Sequence, residues 1–164
     1  MRYAQIRKYD VANGVGIRST LFVTGCRFHC KGCFNEEYQD FSAGQPWSEQ
    51  AEEEFLTYLK NENIVGASIL GGEPLQQDED MLHLVRRIKQ ETGKTIWMWT
   101  GYRYEDLNPF QKEIIQYVDV LVDGQFVLEL RNLKLKFRGS ENQRIIDLNQ
   151  TRKQGKLVLW DSSC

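Results

Sequence analysis

Four short apolar runs, each stopped by glycine, do most to limit what this chain can fold into. They cover residues 19–24 before Gly25, 64–70 before Gly71-Gly72, 95–100 before Gly101, and 118–123 before Gly124. Runs of this length, rich in β-branched and aromatic residues and bounded by glycine, read as buried strands. Helical spacing fills the intervals. Ser48 is placed to cap a helix carrying Ala51, Phe55, Leu56 and Leu59, with Glu52, Glu53 and Glu54 in its early turns. Met81, Leu84, Val85 and Ile88 mark a second helix, and the stretch from Gln111 to Tyr117 a third. Repeated strand–loop–helix units build a parallel sheet with helical crossovers. The chain has 164 residues, well short of the roughly 250 of an eight-unit barrel. The expectation is a single α/β domain over residues 1–164, an incomplete (βα) barrel of about five or six parallel strands. Past Gly124 the pattern changes. Residues 133–137 and 144–148 read as short strands around Gly139-Ser140-Glu141-Asn142, a C-terminal hairpin or extended edge from about residue 125.

In parallel α/β folds, ligands sit beyond the carboxyl ends of the strands. The first run leads there into a loop, residues 25–36, that holds Cys26, Cys30 and Cys33 in C-x3-C-x2-C spacing. Three thiolates from one loop can hold three irons of a cubane cluster and leave the fourth open to a small molecule. Two other readings compete. A disulfide framework needs paired cysteines spread along the chain, but three of the four here fall within eight residues and the fourth, Cys164, is the last residue. Structural zinc could add His29 to the three thiolates, yet the second ligand pair of a zinc finger is missing, since His83 lies in a helical pattern far along the chain. At the other strand ends, glycines let backbone approach a ligand, and Glu73 offers an acceptor for an ammonium group.

The net charge of −2 argues against a phosphate-backbone binder, so no nucleic-acid partner is expected. No apolar run approaches the roughly 18 residues that span a bilayer, and the first residues lack the apolar core of a secretory signal. Clustered thiols without a disulfide pattern point to a reducing cytoplasm.

The cysteine motif taken with Gly71-Gly72-Glu73-Pro74 resembles the radical S-adenosylmethionine (SAM) superfamily. That resemblance implies a [4Fe–4S] cluster on Cys26, Cys30 and Cys33, with the amino and carboxylate groups of SAM on the fourth iron. It further implies SAM contacts from Gly71, Gly72 and Glu73, helped by Gly32, Cys33, Phe34, Thr100 and Asp123. The chemistry implied is one-electron cleavage of SAM to methionine and a 5′-deoxyadenosyl radical that abstracts hydrogen, so no acid–base pair is required of the protein. Four stretches narrow the match: residues 13–26, Gly32-Cys33-Phe34-Asn35, residues 119–126, and Arg138-Gly139-Ser140 with Asn142-Gln143-Arg144. They resemble the glycyl-radical-enzyme activases, which implies that the substrate is a glycine in a partner's backbone. The short length is most similar to the activases that serve anaerobic ribonucleoside-triphosphate reductase, with flavodoxin or a similar protein as electron donor. Pyruvate formate-lyase activases share much of the pattern and are the alternative, as is a non-catalytic metal-binding or electron-transfer module. Two departures stand out: Gly32 occupies a position often aromatic, and Gly14-Val15-Gly16 lacks the common proline.

Several residues carry two readings from sequence. Arg138 and Arg144 could grip the SAM carboxylate or the partner's loop, or be solvated turn charges. His29 and Lys31 read as solvent-facing, with cluster tuning and donor docking as their functional alternatives. Met98 belongs either to the core or to an adenine pocket, Trp97 and Trp99 pack on one strand face, and Cys164 belongs to a tail.

Overall fold

The glycine-stopped runs are strands, and residues outside the pattern extend their sheet on both sides. The computed structural model describes residues 1–161. The strands are β1 (Arg2–Asp10), β2 (Arg18–Thr24), β3 (Gln45–Pro46), β4 (Gly66–Gly71), β5 (Thr95–Trp99), β6 (Val120–Asp123) and β7 (Arg144–Asp147). Among the described residues they form one sheet of seven strands in the order β3-β1-β2-β4-β5-β6-β7. Strands β2, β4, β5 and β6 are mutually parallel, while β1, β3 and β7 run antiparallel to their neighbours. The parallel core therefore has four strands, not five or six. A parallel partner needs a crossover, usually helical. The link from β1 to β2 is a short irregular loop, and that from β6 to β7 holds a single 3-10 turn, Leu128–Leu130.

Four helices, α1 (Glu49–Leu59), α2 (Asp78–Thr92), α3 (Pro109–Ile115) and α4 (Leu148–Gln154), pack with one face of the sheet. Their ends follow local chemistry. Ser48 accepts from the Ala51 N–H at the start of α1, and Gly93 closes α2 in the left-handed conformation with φ 64°. Asn108 and Gln111 form a reciprocal capping box before α3, with Pro109 in the first turn.

The two-residue period of the strands divides the interior. Leu21, Val23, Ile69, Ile96, Met98 and Leu121 join the helices in one continuous, mainly aliphatic core that also holds Phe55. Trp97, Val120 and Val122 face the other way and pack with Trp99, Phe137, Ile145 and Trp160. Met98 is thus a helix-side core residue and does not border a ligand cavity. Arg18 enters the opposite face with 2% exposure, donating to Ser68 Oγ at 3.0 Å and to the carbonyls of Ala67 at 2.9 Å and Thr95 at 3.0 Å. Burial pulls its pKa down to about 10, against the opposing charge of Asp119.

Of the two forms expected for the C-terminal stretch, a hairpin or an extended edge, the hairpin does not form, while residues 144–147 make the edge strand β7. Residues 133–137 are turns and bends, and the pairing shrinks to an isolated bridge between Arg131 and Ser140. Asn132 Oδ1 takes the Lys134 N–H at 2.9 Å, an Asx turn that draws the backbone away from a ladder. Phe137 then adopts φ 64°, which a strand cannot accommodate. Strand β7 stops at Asp147, whose side chain accepts from Gln150 N and caps α4, so Leu148 opens a helix. Cys164 lies outside the described residues.

Candidate active site

The cysteine loop leaves β2 through Gly25, at φ +103°, and folds straight back: Gly25 N donates to Tyr38 O at 2.8 Å and Cys26 N to Gln39 O at 2.9 Å. A Cβ on Gly25 would lie 2.2 Å from the Phe41 ring, so the ring closes the loop only over glycine. Within the loop, Cys33 N donates to Cys30 O at 3.1 Å. The end of β4 is bonded directly to this loop, with Glu73 N donating to Gly25 O at 2.8 Å. A side chain at Gly72 would collide with the carbonyls of Gly25 at 2.6 Å and Tyr38 at 2.7 Å. The glycine pair is therefore what lets the β4 end touch the base of the cysteine loop.

Glu73 is almost fully buried, with 1% exposure, and its carboxylate is already occupied by protein donors. It accepts from Leu75 N at 2.8 Å, Gly101 N at 2.6 Å and Thr100 Oγ1 at 2.9 Å. Burial pushes its pKa up to about 7, while the N–H groups of Gly101 and Leu75 and the Thr100 hydroxyl pull the other way. The residue ties the ends of β4 and β5 together.

These elements border a cavity of about 680 Å³ on the sheet face opposite the helices. Of the residues singled out from sequence, Cys26, Cys30, Cys33, Phe34, Gly71, Gly72, Glu73 and Thr100 line it. Gly32 and Asp123 do not. Gly32 sits at φ +75° against Leu128, where a Cβ would approach within 2.8 Å. Asp123, buried, accepts from Arg144 Nε at 3.0 Å, Arg144 Nη2 at 2.6 Å and Tyr104 N at 2.8 Å. Arg144 also holds both oxygens of Glu105 at 2.9 Å and keeps that carboxyl down near a pKa of about 2. Arg144 is therefore committed, whereas Arg138 lines the cavity and makes, among the described residues, one hydrogen bond, from Nη1 to Gln143 O at 2.6 Å. The two arginines that look alike in sequence differ here. Arg7, Gln125 and Phe126 also line the cavity; sequence assigns none of them a site role, although Gln125 and Phe126 lie in the 119–126 stretch. Gln125 and Phe126 directly follow the fourth glycine-stopped run, a signal that could have found them, while Arg7 comes from β1, a strand outside the repeated pattern.

Cys26 and Cys30 carry the electrostatic mark of burial first and of their neighbours second. Burial pushes Cys26 up to about 12, with the charges of Glu73, Cys30 and Cys33 adding to it. Cys30 is raised by burial and by Cys33, while backbone N–H groups of Phe126 and of Cys30 itself act against this. A cationic metal group reverses that preference by taking thiolate ligands. Among the described residues, no three His, Cys, Asp or Glu side chains converge as a single-ion site requires. His29 is exposed, does not itself line the cavity, and spends Nδ1 on Gln39 Oε1 at 3.2 Å. Three thiols set around one cavity, without a histidine, fit a polynuclear iron–sulfur group better than closed zinc ligation.

A family model described as a 4Fe-4S single cluster domain matches residues 12–146, and this places the molecule among proteins that carry one such cluster. The chain is 44% identical over 148 residues to the anaerobic ribonucleoside-triphosphate reductase-activating protein of Salmonella typhi, covering 87% of this chain and 96% of that one. The protein of the same description from Escherichia coli (strain K12) is 43% identical over the same shares, and that of Enterobacteria phage T4 is 40% identical over 88% of this chain and 93% of its own. The chain belongs to the family of anaerobic ribonucleoside-triphosphate reductase-activating proteins.

Proposed function

We propose that this chain is a radical SAM activase that installs a glycyl radical on anaerobic ribonucleoside-triphosphate reductase. The observation that carries the proposal is that the three-cysteine loop and the Gly71-Gly72-Glu73 strand end are bonded to each other and border one cavity. In this reading Cys26, Cys30 and Cys33 hold the [4Fe–4S] cluster. Held there and reduced, such a cluster would supply the one electron needed for SAM cleavage, the chemistry by which a hydrogen atom would be removed from a glycine of the reductase.

The protein's own residues bind, orient and shield. Gly71 and Gly72 expose backbone at the cavity wall, where a SAM ammonium can find carbonyl acceptors. Glu73 and Thr100 act by holding that wall in place, since their side chains bond each other and the N–H groups of Leu75, Gly101 and Tyr102. Arg138, with donors to spare, is the cation for the SAM carboxylate. Phe34, half exposed, packs its ring 5.0 Å from Phe126 and gives an apolar lip for the adenine side. Asp123 and Gly32 support this wall from outside the cavity: Asp123 fixes Arg144 and the Tyr104 backbone, and Gly32 admits Leu128. A partial barrel leaves the cavity accessible to a peptide loop, as a protein substrate requires. Flavodoxin or a similar carrier is the proposed electron donor and the cytoplasm the proposed compartment. No helix of the described residues is long and apolar enough to cross a membrane.

The test is anaerobic. The protein is reconstituted with iron and sulfide, reduced, and given SAM with and without the reductase. The expected result is 5′-deoxyadenosine together with a glycyl electron-spin signal on the reductase, both lost in Cys30→Ala. Deoxyadenosine without the signal moves the substrate elsewhere, to another glycyl radical enzyme such as pyruvate formate-lyase. Bound zinc with no cleavage overturns the reading and leaves a metal-binding module.

A further inference from the structure

Cys30 is the thiol of the loop that meets a distant part of the chain. Its Sγ lies 3.8 Å from Gln125 Oε1, a contact across 95 positions of sequence, and the Phe126 backbone N–H also acts on the same sulfur. The backbone that carries these groups is pinned. Gly124 N donates to Tyr102 O at 3.0 Å, Gly124 O accepts from Gln143 Nε2 at 2.9 Å, and Gln125 O accepts from Asn142 Nδ2 at 2.8 Å. The Gln125 side chain, by contrast, is exposed, and among the described residues its Nε2 makes no hydrogen bond. A backbone held on three sides thus presents one amide, free to turn, against one sulfur.

The direction of that contact depends on the state of the sulfur. A thiol donates to the amide oxygen; a metal-bound thiolate has no proton and can only accept. The same amide turned over offers N–H instead, at no cost in other bonds. Hydrogen bonds to the sulfurs of an iron–sulfur cluster favour its more negative, reduced state and raise its potential.

We infer that Gln125 donates its side-chain amide to the Cys30 sulfur once that sulfur is ligated, and thereby eases the one-electron reduction of the cluster. This rests on the cluster assignment proposed above. Cys26 and Cys33 have no side-chain amide of this kind among their described contacts, so the effect enters through one corner of the site.

The experiment is an electron-spin-monitored redox titration of the anaerobically reconstituted protein, reduced with dithionite in the absence of SAM. Wild type is compared with Gln125→Leu and Gln125→Glu. Losing one net hydrogen bond lowers the reduction equilibrium constant about three- to tenfold in Gln125→Leu, tenfold being about 59 mV for one electron. Gln125→Glu falls further, because a carboxylate adds negative charge beside the sulfur and removes the donor. Equal potentials in all three proteins, or a rise in Gln125→Leu, overturn the inference while leaving the activase reading intact. Loss of iron from both variants, with wild type loaded, also overturns it by making Gln125 a structural residue. A wild-type protein that forms no four-iron cluster removes the activase reading itself, and this inference with it.

Discussion

Alternate residues of the same strands build the two faces of the sheet, yet the faces are held by opposite chemistry. On β5, Ile96 and Met98 enter the helix-covered core while Trp97 and Trp99 look the other way. The first face is sealed by mostly aliphatic side chains from four helices, with Phe55 of α1 among them. The second is closed by aromatic rings, a buried guanidinium and irregular loops, and it keeps a cavity bordered by three thiols. Stability and chemistry thus sit back to back on one backbone, and substitutions should separate them.

The largest separation is expected from Met98→Ala, which removes a fully buried side chain on the helix side. It should cost about 4 kcal/mol in denaturant unfolding of the apo-protein and leave SAM cleavage per folded molecule unchanged. A comparable loss of cleavage in folded Met98→Ala would break the division between the faces. Next comes Glu73, at the seam between them. Its pKa rises from 4.5 to about 7 on folding, so the native state holds the proton more tightly than the unfolded chain. Its contribution is complete below about pH 4.5 and is lost as pH climbs through 7, on the order of 3 kcal/mol in total. Unfolding of the apo-protein between pH 4.5 and 8 should show this decline, flattened in Glu73→Gln; parallel slopes in the two proteins would deny Glu73 the role.

The two arginines sharpen the comparison further. Arg144→Gln strands Asp123, which is 1% exposed, and should destabilise the protein by about 2 kcal/mol with little change in SAM affinity. Arg138→Gln should do the reverse, weakening SAM binding to the reconstituted protein about tenfold, or about 1.4 kcal/mol, with Tm unmoved. Calorimetry and thermal melts on the pair decide it: exchanged phenotypes would reassign both residues.

Much of this arrangement is legible in the sequence, for local reasons. The parallel strands announce themselves because each is a short apolar run with a glycine at its functional end, and the three thiols because one loop holds them. Strand β1 is less visible, since Arg2, Gln5, Arg7 and Lys8 interrupt its apolar residues. Residues 133–137 mislead in the other direction. Leu-Lys-Leu-Lys-Phe alternates as a strand should, but the Asn132 side chain captures the backbone first and Phe137 turns left-handed. Helix α4 hides because little beyond Leu148 and Thr151 is buried in it. At the site, the limit is convergence. Nothing local distinguishes Arg138 from Arg144, because what separates them is Asp123, which arrives from another strand and pairs with one of them. Gln125 likewise gains meaning only from a sulfur 95 positions away.

A sheet that does not close on itself has two borders, and exposed borders invite unrelated chains to add on and precipitate. Here one border is β3, two residues long and ending in Pro46. The other, β7, is screened by the chain's own final segment: Asp147 N donates to Val158 O at 2.9 Å and Trp160 N to Ile145 O at 2.8 Å, with Leu159 bridging Ile146. Trimming the chain before Val158 would unmask that border, and the first symptom to appear in the tube would be turbidity.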